Sequence, residues 1–577
     1  MTERTREPSA RSWRRLVPIA NWLPRYDRRL LAGDLAAGVA VTAMIVPKDL
    51  GYAGIAEVPI QNGLYAAAAG AIIYALFCTS RQISTGPSSS LAAVAGGAVL
   101  VTGLAGEAAA ELVAGITLLT GVLFLLLALL RMGWIAQFLS KAVVTGFLAG
   151  SALSVTIGEL PKLTGTSSDG DTAWRELGSW IGGLGEMHWT TLLVGAAALA
   201  TILALRFLRP RIPGALVLVV GGLLISHFFD LGSHGVALVG PVPRGLPDPQ
   251  APSIEVMTDH LSEIGIASVA LLLIGFSQTA GDARAFAARH RYRIDVNQES
   301  VAQGMANVGA GVLQGMPVST SLSASSLNEA SGAKTPLASL ITGALVLATL
   351  FVLAPLFSAL PIAVLGAIII DAVIFGMIDL GELRRLHRVS RFDYWIAVAA
   401  ILAVLSAGVL AGVVIGVVLS LGWLIYVATR PSIPLLGREP GTQVFRDVAE
   451  NPADETLPGV VILRPDGGLF FATAEALEER IRELEDAADP PLQALVLDLE
   501  GVNFVDSQGA AKLTEIEEFT RLDDISLRLA RVKPKVRTVL EAQGFIDKIG
   551  SDHVHGNVDR AVEAQFAEGA HARQRSP

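Results

Sequence analysis

Two short runs in this 577-residue chain place small hydroxyl side chains beside backbone-bending residues within otherwise apolar sequence. They are Ser84-Thr85-Gly86-Pro87-Ser88-Ser89-Ser90 and Gly315-Met316-Pro317-Val318-Ser319-Thr320-Ser321. Proline and glycine free backbone groups that lipid cannot satisfy, so each run is expected to enter extended, inside protein, and to turn into a half-helix partway across a membrane. A half-helix N-terminus offers free N–H groups and the positive end of a helix dipole, which is the chemistry of anion binding. Thr85, Ser88, Ser319, Thr320 and Ser321 are therefore candidate anion ligands. The competing reading is that these hydroxyls bond their own helix carbonyls in helix–helix contacts. Four charged residues, Lys48, Asp49, Asp282 and Asp371, also stand within apolar stretches, where a charge is costly and calls for a functional explanation.

The elements that must hold these residues are legible in the composition. The chain is 52% apolar and 17% charged, with a mean hydropathy of +0.52, whereas soluble proteins carry about 25% charged residues. Residues 431–577 hold 16 Lys/Arg against 27 Asp/Glu, a net of −11, and residues 1–430 hold 28 against 26, a net of +2. A near-neutral apolar block followed by an acidic module reads as a membrane domain joined to one soluble domain. The single cysteine, Cys78, excludes an intrachain disulfide and a cysteine metal cluster.

Fourteen segments qualify as candidate spans, from 34–56 through to 392–408 and 410–429. Basic residues mark the even-numbered connections, at Arg81, Arg131, Arg206/Arg209/Arg211, Arg284/Arg289/Arg291/Arg293 and Arg384/Arg385/Arg388/Arg391. The positive-inside rule then places both termini in the cytoplasm, and the chain is expected in the cell (plasma or inner) membrane as a multi-pass protein. The two hydroxyl-rich runs open spans 3 and 10, seven apart, as a 7+7 inverted repeat with one midplane site requires. Arg4 to Arg29 lack a cleavable-signal pattern. With Trp13, Leu16, Trp22 and Leu23, this arm suits a helix in the headgroup layer of membrane lipid, or a plain basic stop before the first span.

Beyond the proline-rich exit Arg430-Pro-Ser-Ile-Pro434, Val460–Leu463, Ala494–Leu499 and Ser526–Ala530 read as strands. Helices are expected at Glu475–Ala488, 508–520 and 533–543, giving a small α/β sheet. The chain has no phosphate-loop motif, so ion gradients rather than ATP are expected to supply energy. The expected boundaries are 1–30 for the basic arm, 31–430 for the transmembrane domain, 431–458 for a linker, 459–566 for the α/β domain and 567–577 for a disordered tail.

Several strings resemble the sulfate permease (SulP) family of anion transporters: Gly33-Asp34-Leu35-Ala36-Ala37-Gly38, Val46-Pro47-Lys48-Asp49-Leu50-Gly51-Tyr52-Ala53, Gly63-Leu64-Tyr65, Ser80-Arg81-Gln82-Ile83-Ser84-Thr85-Gly86-Pro87, Asp295-Val296-Asn297-Gln298-Glu299 and Gly332-Ala333-Lys334-Thr335-Pro336-Leu337. Asp506-Ser507-Gln508-Gly509 resembles the signature of the STAS domain that ends such proteins. The resemblance implies a multi-span α-helical membrane protein of fourteen spans in a 7+7 inverted repeat, with core and gate domains and a cytoplasmic α/β STAS domain. It implies a homodimer and a non-enzymatic secondary active transporter that works by alternating access. The anion, sulfate, bicarbonate, chloride or a dicarboxylate, would lie between the half-helices of spans 3 and 10, with Tyr52 of the first-span motif beside it. No cofactor beyond a coupling Na⁺ or H⁺ and no nucleic-acid partner is implied. An uncoupled channel-like conductance or an anion exchanger is the alternative.

Departures from the family pattern sharpen the candidates. The first-span motif is usually Pro-Gln, and here it is Pro47-Lys48; the span-10 half-helix usually carries a base where this chain has Ala324. One reading is that Lys48 supplies the missing counter-charge; the other is that it snorkels to the outer interface. Asp49 stands about 100° away by helical geometry and is assigned to a local partner or a vestibule. In span 8 the family's acidic position is Gln278, and the carboxylate occurs at Asp282, one turn on and on the same face. Asp282 then serves as a proton carrier or Na⁺ ligand, or else it pairs with Arg284 or Arg289. Asp371 reads as a structural residue of the gate domain or an end-of-helix residue. At the STAS turn the phosphate-accepting serine position is Gln508, which argues for dimer packing or folding support over phosphoryl switching.

Overall fold

The computed structural model describes residues 17–131, 140–168, 170, 172–210 and 212–575, with side chains through residue 568. Residues 1–16, which hold Trp13 and Leu16 of the expected arm, and Arg211 lie outside the described residues. The chain divides into two compact units, Met1–Leu421 and Gly422–Pro577.

The first unit is helical apart from two short strands. Helices α1 (Leu31–Ile55) and α2 (Ile60–Phe77) lead into strand β1 (Thr85–Pro87) and the half-helix α3 (Ser89–Thr102). Then come α4 (Gly106–Leu130), α5 (Lys141–Thr164), the short α6 (Ala173–Gly182), α7 (Trp189–Leu208) and α8 (Gly214–Phe229). The second half repeats the plan with α9 (Leu261–His290), α10 (Val296–Val312), strand β2 (Val318–Thr320), the half-helix α11 (Leu322–Ala330), α12 (Leu337–Val352) and α13 (Ile362–Met377). The surface helix α14 (Leu380–Val389) and the long α15 (Arg391–Ala428) complete it. Eight described helices are long and apolar enough to cross a membrane, and α3, α8 and α12 are shorter apolar helices.

Local sequence explains where these elements begin and break. Pro59, Pro213, Pro336 and Pro361 immediately precede α2, α8, α12 and α13, where a missing N–H costs nothing. Drawn straight, α15 would run about 57 Å, far beyond a hydrocarbon core of about 30 Å. Gly408, at φ 84° and ψ 167°, interrupts it, between the two segments expected at 392–408 and 410–429.

The family-like strings latch the two halves together. Asp34 accepts hydrogen bonds from the Thr335 hydroxyl at 2.7 Å, the Lys334 N–H at 2.8 Å and the Tyr26 hydroxyl at 2.9 Å. Glu299, fully buried, accepts from the Thr79 and Ser80 N–H groups at 2.8 Å each and from the Tyr74 hydroxyl. Both carboxylates thereby satisfy backbone donors of the opposite half, which offsets their burial.

The second unit carries a parallel sheet in the order β5 (Val460–Leu463), β6 (Ala494–Asp498), β7 (Ser526–Ala530) and β8 (Val554–His555). Helices α16 (Ala474–Asp486), α17 (Ser507–Leu522) and α18 (Pro534–Ala542) connect the strands, and α19 (Val558–Arg575) follows. The segment expected to be a linker instead holds a hairpin, β3 (Leu436–Arg438) with β4 (Phe445–Asp447), bridged to the sheet at Leu435 and Leu463. The α19 backbone continues to Arg575, through much of the stretch expected as a disordered tail. Asp506 caps α17, accepting the Gly509 N–H at 2.7 Å, so the Ser507-Gln508 turn is a helix start.

Candidate functional site

Both hydroxyl-rich runs fold as strand followed by half-helix. Thr85, Gly86 and Pro87 pair antiparallel with Thr320, Ser319 and Val318. The Ser321 N–H donates to the Ser84 carbonyl at 3.0 Å and the Ser84 N–H to the Ser325 hydroxyl at 2.9 Å. The free edge of β2 is covered by α10: Asn307 accepts from the Val318 N–H and donates to its carbonyl, both at 3.0 Å. Non-helical backbone is thus satisfied inside protein, as it must be at this depth. Ser88 caps α3 by accepting the Leu91 N–H at 3.5 Å, and Ser321 caps α11 by accepting the Ala324 N–H at 3.3 Å. The pairing brings both N-termini to one place with their dipoles converging.

Helix α1 closes this place from the side. Lys48, Asp49 and Tyr52 line a small cavity with Thr85, Gly86 and Ser321, of about 20 Å³, room for about one water. Ala324, where the family pattern has a base, lies on the same wall. The charges acting on the Lys48 ammonium are Asp371, Arg206 and Asp49. Asp371 on α13 is held by Arg206 of α7 through two hydrogen bonds of 2.6 Å, a fork geometry that fixes both groups. The Arg206 guanidinium also stacks over Phe375, 4.4 Å from the ring centroid.

Lys48 therefore faces the cavity rather than the outer interface. Of the two readings of Asp49, a local partner or a vestibule, its place on the wall of the same cavity as Lys48 fits the vestibule. A 100° offset about the helix axis does not keep the two side chains from lining one cavity. Asp49 is buried, and its Oδ2 atom has no hydrogen-bond partner. The Thr85 hydroxyl and the Gln278 carbonyl oxygen are likewise buried without partners. Buried polar atoms are nearly always satisfied, so the two orphans on the cavity wall, on Asp49 and Thr85, mark a place built to receive a further group.

The remaining candidates stand behind the wall. Alternation along β2 turns Thr320 and Ser319 to opposite faces. The Thr320 hydroxyl donates to Asp282 at 2.8 Å, and the Ser319 hydroxyl to the Gly275 carbonyl at 3.4 Å. Gln278 donates to Ser90 at 3.0 Å, while Ser88 lies 3.2 Å from that same Ser90 hydroxyl. The Arg284 or Arg289 partnership considered for Asp282 is not what forms: Arg289 pairs with Glu329 at 2.6 Å. The sequence reading missed Arg206, which it took for a loop marker. The available signal was its position in the last turn of an apolar helix, within reach of an acid otherwise unexplained.

Known proteins resemble this chain over most of its length. Residues 31–400 match the model described as the Sulfate permease family, and residues 451–561 match the STAS domain. A probable sulfate transporter of Mycobacterium tuberculosis is 35% identical over 553 residues, covering 94% of this chain and 98% of that protein. A chloroplastic sulfate transporter of Arabidopsis thaliana is 30% identical over 572 residues, covering 95% of this chain and 82% of that protein. Among solved structures, the murine Solute Carrier 26 family member A9 anion transporter superposes with a TM-score of 0.87 at 21% identity, covering 98% of this chain and 96% of that one. The transmembrane domain of a cyanobacterial bicarbonate transporter gives 0.60 at 23% identity, covering 68% and 98%.

Proposed function

The chain belongs to the sulfate permease family of anion transporters and carries a STAS domain, and from that premise we propose that it is a secondary active transporter whose first substrate is sulfate. The observation that carries this reading is the β1–β2 pair, which sets two half-helix N-termini against Lys48. Two N-terminal dipoles and one ammonium suit a small oxyanion, and the cationic side chain makes up for the alanine at position 324. The names of the relatives favour sulfate over bicarbonate, chloride or a dicarboxylate.

Lys48 serves as counter-charge, Tyr52, Thr85 and Ser321 as hydroxyl ligands, and the α3 and α11 backbone as donors. Asp282, tied to β2 through Thr320, and Gln278, with its orphan carbonyl, form the coupling region for a proton or Na⁺. The cavity around Lys48 is smaller than an oxyanion, so loading requires α1 and the strand pair to part, in keeping with alternating access. The proposal includes fourteen spans in a 7+7 repeat, cytoplasmic termini, insertion in the cell membrane and assembly as a homodimer.

Sulfate uptake into proteoliposomes, with and without imposed proton or Na⁺ gradients, tests the proposal. Saturable uptake driven by an inward gradient is expected, with bicarbonate, chloride, nitrate, phosphate, succinate and fumarate as competitors. Gradient-independent current that scales with voltage would transfer the protein to the channel-like alternative.

A further inference from the structure

The four arginines on and just after α14 have different fates. Arg385 makes a fork with Glu382, at 2.9 and 2.6 Å, and Lys141 reaches the same carboxylate at 3.1 Å. That one acid satisfies both cations. Arg384, Arg388 and Arg391 have no carboxylate partner among the described residues, and all three line a groove of about 740 Å³ between α14 and the start of α15. Positions 384 and 388 share a helix face, and Arg391 joins them after the bend at Ser390. His387 sits among them, its ring 4.9 Å from that of Tyr394. The floor is apolar, formed in part by Val398 and Ile401 on α15, and α15 is a membrane-length apolar helix that leaves Trp395 and Leu402 exposed.

A topological role for these arginines asks only that they lie on one side of the membrane. It does not ask that three unpaired guanidiniums converge on a groove while the fourth is turned away and neutralised. A cationic rim above an apolar floor that runs onto a spanning helix fits a ligand with one anionic end and a hydrocarbon remainder. We propose that this groove binds one anionic glycerophospholipid, with its phosphodiester among Arg384, Arg388 and Arg391 and an acyl chain along Val398 and Ile401. Guanidinium matches phosphate oxygens in a fork geometry, and the Tyr394 and Trp395 rings suit the headgroup level.

The test is native mass spectrometry of the full-length protein released from vesicles of mixed phosphatidylglycerol and phosphatidylcholine. The wild type is expected to retain phosphatidylglycerol selectively. At about one factor of five per arginine, the R384Q/R388Q/R391Q variant should lose roughly a hundredfold in that selectivity. R385Q, whose arginine already has an internal partner, should keep it. Ile401→Trp, which fills the floor without touching a charge, should lose the lipid and provides a second variant independent of the charge changes. Undiminished selectivity in both the triple variant and Ile401→Trp would overturn the proposal, as would equal loss in R385Q and R388Q. Displacement of the bound species by millimolar inorganic phosphate would reassign the groove to a free anion. A photo-cross-linker at position 391 that captures residues 431–577 in place of lipid would reassign it to the acidic module.

Discussion

A charge inside an apolar helix has few inexpensive positions, which is why Lys48 and Asp282 stand out as single letters. Among the described residues, Lys48 is the only basic side chain on the wall of the candidate cavity. Lys48→Gln keeps the length and a polar end but removes the charge, and is expected to leave expression intact while sulfate affinity falls at least tenfold. Isothermal titration or scintillation proximity binding checks this, and unchanged affinity removes Lys48 from the site. Asp282→Asn retains an acceptor for the Thr320 hydroxyl but cannot cycle a proton or neutralise Na⁺. Gradient-driven accumulation should disappear while sulfate–sulfate exchange persists; intact accumulation would exclude Asp282 as the coupling group. Two things were not legible at this scale. Arg206 carries the same letter and position as a topology marker, and only the fold reveals its fork with Asp371. That Ser319 and Thr320 bond to α9 and do not line the cavity depends on strand register, and a Ser-Thr-Ser run alone does not fix register.

At the scale of elements, breaks were easier to read than contacts. Pro and Gly beside serines gave the strand-to-half-helix transitions correctly in both runs, because lipid forbids unsatisfied backbone wherever protein does not cover it. The partner of each strand was beyond reach, since three residues carry too little pattern to specify a pairing. The hairpin β3–β4 was likewise read as linker, its strands being only three residues each. Helix α1 is held at the site by close approach of α2: a β-carbon added at Gly63 would lie 2.1 Å from the Asp49 carbonyl oxygen. Gly63→Ala must therefore push α2 away from the turn that carries Lys48 and Asp49. A cost of about 1–3 kcal/mol is expected for such overpacking, seen as a lower unfolding temperature in detergent together with weakened sulfate binding. A variant with wild-type values for both would show that the two helices can part there freely.

For the whole molecule, the division of charge into a near-neutral block and an acidic module anticipated the two compact units, and the spacing of the two hydroxyl-rich runs anticipated that the two halves meet at them. The acidic module also responds to pH. Burial, and then the neighbouring Arg528 guanidinium, hold the His555 imidazole below its ordinary value; His553 adds to this, and Asp552 and Glu568 oppose it. Arg528, itself fully buried, lies 3.3 Å from His555 Nε2, an arrangement in which the ring accepts and stays neutral. The folded state thus binds this proton more weakly than the unfolded chain. The associated stability is present above the unfolded value of about 6.5 and is lost as pH falls below it through the folded value. Hydrogen exchange of β7 and β8 in the intact protein should quicken as pH falls from about 7 to about 5, after correction for intrinsic rates, and His555→Gln should flatten that dependence. An equal response in both proteins would remove His555 as the cause.

The strand pair at the candidate site also has a consequence in time. Ser84 and Ser325, which bond across it, are separated by 241 residues. At a synthesis rate of roughly 5–20 residues per second, the first strand waits about 10–50 s for its partner. Until then the backbone of residues 84–87 lacks its final hydrogen bonds, and lipid offers none. The nascent first half must accordingly be kept near water or in the insertion machinery during that interval, and the candidate site cannot be completed before residue 325 has been made.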